Sequence, residues 1–385
     1  MHIKQKLCVV TGSRAEYGLL KHFIKEINES DAFELILLVT GSHLSEKFGL
    51  TFNEIKSDGF FINRKIDIQV NKDNPDDIAN STALSIRGFS GAYKDFNPVL
   101  IILLGDRYEL LGAAIAAMYH QIPIAHLHGG ELTLGAMDDS IRHSLTKLSH
   151  IHFVANEVYR NRVIQLGENP SLVFNVGGLG VDAIKRVNLL SKKQLEEKLQ
   201  LKFKERNLLV TFHPVTLEKS SSHQMEELLK ALAIRDDYQI IFTMPNADPN
   251  SKVLFEMIEN FVKNRANSSL FKSLGQTYYY SCLAQVDAVI GNSSSGLLEA
   301  PSFYKATVNI GERQSGRLKA SSVIDCDPDF ISINNAIDKI YTKTFQDIVS
   351  KTINPYGNGE AVNAIVKHLK NLSFGSLIKK RFYDL

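Results

Sequence analysis

Short apolar runs rich in Val, Ile and Leu, each closed by Gly, Ser or Asp, alternate along the chain with stretches whose apolar residues recur every three or four positions. The runs at 7–11, 35–40, 99–104, 122–127 and 152–155 are too short for helices and lack polar alternation, which predicts strands covered on both faces. Between them, 19–27, 110–119 and 141–148 have helical spacing. Apolar strands alternating with helices predict an α/β fold with a parallel sheet. A second series then begins, with strands at 208–212, 239–244, 286–291 and 307–310 and helices near 225–232 and 253–262.

Between the two series, Val176-Gly177-Gly178-Leu179-Gly180 followed by the charged stretch 192–204 reads as a hinge and the start of a second domain. The expected organisation is two Rossmann-like domains, 1–180 and 181–360, with a C-terminal helical segment over 361–385 packing back on the first. In such sheets ligands gather beyond the carboxyl ends of the strands, so two facing domains are expected to place these loops around a shared cleft.

Charge narrows the partners. The 385 residues carry 44 Lys plus Arg against 42 Asp plus Glu, so nothing draws the chain generally to nucleic acid or to acidic membrane surfaces. Cys8, Cys282 and Cys326 are too few and too scattered for a disulfide framework or a zinc site, which fits a reducing compartment. With neither a signal-peptide pattern nor a membrane-length apolar run, a soluble cytoplasmic protein is expected.

The loops carry the candidate chemistry. After the first strand, Gly12-Ser13-Arg14-Ala15-Glu16-Tyr17 sets a guanidinium at a helix start, where amides and the helix dipole suit phosphate; the plainer reading is a strand-to-helix turn with a surface arginine. Gly291-Asn292-Ser293-Ser294-Ser295-Gly296 at the end of a buried strand can cradle a diphosphate, with Glu299 one turn inside the following helix and suited to ribose hydroxyls. Helix capping by Ser293 or Ser294 is the alternative. Arg313 and Arg317, on the loop after the next strand, have forks suited to phosphate or a base. His213 ends the first strand of the second series, placed to cap a phosphate or carry a proton.

Six of the twelve histidines fall between His120 and His152, among acids. Asp106, His128, Glu131, Asp138 and His143 lie at strand ends or helix starts and are expected to converge for acid–base work. A metal site using His126 and His128 is the rival, and a packed core histidine at 126 is the bland alternative.

Together Gly12-Ser13-Arg14-Ala15-Glu16-Tyr17, Gly41-Ser42-His43, Gly105-Asp106-Arg107, Gly129-Gly130-Glu131, Asp138-Asp139-Ser140-Ile141-Arg142-His143, Phe212-His213-Pro214, Gly291-Asn292-Ser293-Ser294 and Gly311-Glu312-Arg313-Gln314 resemble the UDP-N-acetylglucosamine 2-epimerases, most closely the hydrolysing branch of bacterial sialic acid biosynthesis. The resemblance implies a GT-B type fold, a homodimer or homotetramer, and no metal or nicotinamide cofactor. It implies that Arg14, His213, Asn292, Ser293, Ser294, Gly296, Glu299 and Arg313 hold UDP, with Arg107 near the sugar or phosphate. Asp106, Asp138, Arg142 and His143 would surround the sugar, with His43 facing it. Where relatives commonly have a glutamate two residues after the histidine of the 122–127 strand, this chain has His128; that residue or Glu131 is then expected to take over its acid–base role. The segment from Glu131 to Asp138 is one residue longer than in many relatives.

The implied reaction is UDP-N-acetylglucosamine and water to UDP and N-acetylmannosamine, through elimination to 2-acetamidoglucal and hydration. Asp106 is expected as base, with His128 or Asp138 completing the relay. The alternatives are the same chemistry on UDP-2,4-diacetamido-2,4,6-trideoxyglucose, a GT-B glycosyltransferase, and a non-catalytic nucleotide-sugar sensor.

Overall fold

The computed structural model describes residues 4–70, 74–132, 137–214, 221–244 and 251–385, the side chains of 251 and 252 excepted. The chain forms two compact units, one of Met1–Ala183 with Tyr356–Leu385 and one of Ile184–Pro355.

Among the described residues the first unit holds seven strands: β1 (Gln5–Thr11), β2 (Phe33–Thr40), β3 (Arg64–Ile66), β4 (Leu100–Leu104), β5 (Ile124–Leu127), β6 (Ile151–Val154) and β7 (Val173–Asn175). They pair in parallel in the order β3-β2-β1-β4-β5-β6-β7. β1 shows why these strands look uniformly apolar. Leu7 and Val9 point into a core closed by helices Arg14–Asn28 and Ala361–Lys370, whereas Cys8 and Val10 enter the opposite core under helices Pro75–Phe96 and Tyr108–Tyr119. Both faces of the pleat are dry, so both sets must be apolar. Each such Leu, Ile or Val contributes on the order of 2 kcal/mol by leaving water.

The second unit repeats the plan with β8 (Arg206–Thr211), β9 (Tyr238–Thr243), β10 (Ser268–Phe271), β11 (Ala288–Gly291), β12 (Ala306–Ile310) and β13 (Val323–Cys326). These strands too pair in parallel, ordered β10-β9-β8-β11-β12-β13. In each sheet the winding direction reverses once, between β1 and β4 and between β8 and β11. That is where an open parallel sheet leaves a crevice for a ligand.

Hydrophobic patterning misses the edge strands β3, β7, β10 and β13, of three or four residues each. It also misses helix Pro75–Phe96, capped by the Asn74 side chain, which accepts from Asp77 N at 2.9 Å. The inner face of that helix includes Ser81, Ser85 and Ala92, and a Cβ on Gly112 would lie 1.6 Å from Ser85 Oγ. Close packing through such small residues leaves a weak apolar stripe to read. Among the described residues no helix is long and apolar enough to cross a membrane.

Candidate active site

At the β1/β4 crevice, Ser13 caps helix Arg14–Asn28 by accepting from Glu16 N at 3.3 Å, and Glu16 turns back to accept from Gly12 N at 2.7 Å. These side chains occupy two of the amides that the sequence offers to phosphate, while Arg14 is exposed. Behind the turn, Arg107 Nε donates to the fully buried Glu109 at 2.9 Å. Gly12 is required here, because a Cβ would sit 2.5 Å from Glu109 Oε1.

Burial, and next the charge of Glu109, push the Glu16 carboxyl from 4.5 up to about 8. A carboxyl raised in the folded state contributes stability in full below its unfolded value of about 4.5 and loses it as pH rises through about 8. Glu16→Gln keeps an acceptor for Gly12 N but cannot ionise. Thermal melts across that range should show a flatter fall in stability for the variant; an unchanged slope would refute the shared burial of the two carboxyls as its cause.

His43 does not present itself to a ligand. It is fully buried, with Nε2 3.1 Å from Thr11 Oγ1 and Nδ1 2.7 Å from Thr51 Oγ1, and burial pushes it down to about 4. It packs the ends of β1 and β2, with both ring nitrogens against threonine hydroxyls.

Asp106 follows Gly105, whose φ of +92° turns the chain away at the end of β4. Its carboxylate accepts a hydrogen bond from Arg142 Nη2, and Arg142 also lies 3.6 Å from Asp139. Burial raises the Asp106 carboxyl above the ordinary range; Asp138 and Glu131 push the same way, against Arg142 and Arg107. Asp106 is therefore within electrostatic reach of Asp138, Glu131 and Arg142 of the same unit, with Asp138 in the first turn of helix Met137–Leu148. His143 lies 3.5 Å from Asp139, and burial lowers it. Of the extended loop, residues 133–136 lie outside the described set.

His126 takes the packed alternative. It is fully buried, Nε2 is 2.7 Å from Gly105 O and Nδ1 3.3 Å from Thr146 Oγ1, and burial drives it down to about 3. His128 instead leaves the strand with φ +62°, and its Nδ1 lies 2.9 Å from Glu131 Oε1.

In the second unit the β8 and β11 loops are stitched together. His213 N donates to Asn292 Oδ1 at 2.6 Å and Asn292 Nδ2 donates to His213 O at 2.9 Å. Arg313 Nη1 and Gln314 Nε2 both donate to Asn292 O, at 3.1 and 2.8 Å. Of the histidine motif, Val215 and Thr216 lie outside the described residues. Ser293 and Ser294 are partly exposed, and Gly296 is needed because a Cβ would meet Thr307 Cγ2 at 2.5 Å.

A family model for UDP-N-acetylglucosamine 2-epimerase matches residues 25–370. The chain belongs to the UDP-N-acetylglucosamine 2-epimerase family. It is 41% identical over 385 residues to the Campylobacter jejuni GDP/UDP-N,N'-diacetylbacillosamine 2-epimerase (hydrolyzing), covering 99% of this chain and 100% of the relative. It is 37% identical over 388 residues to the Escherichia coli polysialic acid biosynthesis protein P7, covering 99% and 98%. The fold matches the crystal structure of UDP-GlcNAc 2-epimerase from Neisseria meningitidis bound to UDP-GlcNAc, with TM-score 0.76 at 18% identity over 96% of this chain and 100% of that one.

Two features of this epimerase's second unit differ from the sequence expectation. The helix after the serines is a single turn, Ser295–Leu298, so Glu299 stands at its end rather than one turn inside, and Pro301 follows in a 3₁₀ turn. The Asn292 side chain is committed to the His213 backbone, which makes it a brace for the loops that were expected to hold UDP.

Sequence reasoning also missed partners of Glu299. Its carboxylate accepts from Ser295 Oγ and, at 3.2 Å, from Tyr280 OH, while Tyr279 OH donates to Ser295 Oγ at 2.6 Å. Burial raises the Glu299 carboxyl. The run Tyr278-Tyr279-Tyr280, in helix Gly275–Gln285 just before the strand that ends at the serine-rich loop, is the signal that could have found them. Gln314, buried against Asn292 O, is the other omission.

Proposed function

We propose that the chain is a hydrolysing 2-epimerase that converts UDP-N-acetylglucosamine and water to UDP and N-acetylmannosamine. Family membership supports the coarser statement, 2-epimerisation of a UDP-sugar. The observation that carries the chemistry is Asp106, a half-buried carboxyl raised above its usual range beside Asp138 and Glu131 and oriented by Arg142. A base tuned upward in this way suits a weakly acidic carbon-bound proton.

The hydrogen on carbon 2 of an acetamido sugar becomes removable only as the bond to UDP breaks. Asp106 takes that proton, the freed pair forms the carbon 1–carbon 2 double bond, and the carbon 1–oxygen pair leaves on UDP. Arg14, His213, Arg313 and the amides of Ser293, Ser294 and Gly296 are the groups suited to the charge growing on the diphosphate, with Arg107 beside it or the sugar and Glu299 accepting from ribose. Water then adds to carbon 1 while carbon 2 is protonated from the opposite face. Arg142 orients Asp106, and His143 lines the sugar side.

A second reading has one specific support. The 41% identical Campylobacter jejuni relative is named for N,N'-diacetylbacillosamine, which favours the UDP-linked 2,4-diacetamido-2,4,6-trideoxy sugar. Purified protein incubated with each UDP-sugar and no acceptor should release UDP together with the 2-epimerised free sugar, and the higher kcat/KM names the substrate. Turnover that appears only when an acceptor is added would replace this reading with a glycosyltransferase.

A further inference from the structure

His128 is held at both ring nitrogens. Leu179 N donates to Nε2 at 3.3 Å, so Nε2 is the acceptor, and the ring proton must sit on Nδ1, where it is donated to Glu131 Oε1 at 2.9 Å. Adding a proton at Nε2 would set two N–H groups against each other and break the Leu179 bond. The ring thus has no nitrogen left to offer a sugar. Its backbone is fixed as tightly: His128 sits at φ +62°, and Gly130 two residues on cannot carry a Cβ, which would lie 2.5 Å from Tyr159 O. Glu131 and His128 are each about one-fifth exposed, at 20% and 19%, so the carboxylate is reachable while its orientation is set from behind.

We propose that His128 is a positioning residue that aims Glu131, and that Glu131 supplies the proton to carbon 2 in the second half of the reaction; this rests on the 2-epimerase reading above. The water oxygen bonds to carbon 1, the double-bond pair takes the Glu131 proton at carbon 2, and the proton shed by water passes to solvent, from which Glu131 is recharged. Asp106 returns to solvent the proton taken in the first half, so the two carboxyls act on opposite faces and end as they began.

Two substitutions divide the roles of the ring. Asn places an N–H donor where Nδ1 lies and tolerates a left-handed backbone, whereas Gln places an acceptor where Nε2 lies and loses the donor to Glu131. Full-length protein is assayed for UDP, free sugar and 2-acetamidoglucal with whichever UDP-sugar the wild type turns over. Expected are His128→Asn within about tenfold of wild type, and His128→Gln and Glu131→Gln each lower in kcat by on the order of a hundredfold or more at similar KM. The two slow variants should accumulate the unsaturated sugar after releasing UDP, because elimination then outruns protonation. Activity kept by His128→Gln and lost by His128→Asn would assign the ring to the Leu179 bond and overturn the proposal. Equal loss in both would make the imidazole itself the proton carrier and overturn it too, as would full turnover in Glu131→Gln. A wild type that releases no UDP from either sugar sinks the functional reading, and this inference with it.

Discussion

Asp106→Asn is expected to bind UDP with unchanged affinity and to lose turnover by about a thousandfold, the middle of the range for removing a positioned base. The amide has nearly the shape of the carboxylate and keeps an oxygen for the Arg142 Nη2 hydrogen bond, so the fold around Gly105 has no reason to move. What it lacks is a site for a proton. Most of the proposed UDP contacts come from the loops after β8, β11 and β12 of the other unit; Arg14 and Arg107 lie in Asp106's own unit, but Asp106 itself is assigned to the sugar. Calorimetric titration with UDP and a product assay read the two effects separately. Deuterium wash-in at carbon 2 adds a stricter check, because a base variant should lose exchange along with product. Near-normal turnover in the variant would remove Asp106 from the mechanism.

Gly291→Ala is expected to have the largest effect on stability. Gly291 has φ +132°, and a Cβ would lie 2.0 Å from Thr211 O, the carbonyl that accepts from Asn292 N at 3.2 Å. The added carbon therefore cannot be absorbed by a side-chain rotation; β8 and β11 would have to separate at the crevice. Backbone strain of about 1–3 kcal/mol combines with the overlap, so a loss above roughly 3 kcal/mol is expected. UDP binding should fall with it, because the His213–Asn292 stitch depends on that register. Gly311→Ala is the control: its φ is +70° with nothing within 4 Å of the added Cβ, so only the strain of about 1–2 kcal/mol applies. Thermal melting of both variants decides the matter, and equal losses would show that the backbone angle, not the close approach, sets the cost.

The central strands were legible because each is a continuous apolar run bounded by turn residues, and both conditions are local. The edge strands were not: among the described residues β13 pairs only with β12, and its burial falls from Ile324 to the exposed Asp325, so no run builds up. Helix Pro75–Phe96 carried a clear start signal at Asn74-Pro75, but serines on its inner face hid its period. The loops with candidate chemistry were located correctly at strand ends, since Gly, Ser and charged residues interrupt apolar runs there.

The histidines mark the boundary of that kind of reading. His43, His126 and His128 stand in similar motifs, yet the first two are sealed among hydroxyls and a carbonyl while the third reaches Glu131. Their partners, Thr51, Gly105 and Leu179, come from other segments and no local pattern announces them.

By itself, the order of apolar runs and turn residues determined two parallel α/β sheets and the strand ends where polar chemistry collects, because burial on both faces imposes a pattern on each strand independently of its neighbours. Only the tertiary structure decided which polar groups meet: that Glu16 is buried against Glu109, that Asn292 braces His213, that Arg142 orients Asp106, and that Leu179 sets the proton on His128. Hydrogen bonds and charge shifts depend on the partner within a few ångströms, and in a wound sheet that partner comes from a distant segment of the chain.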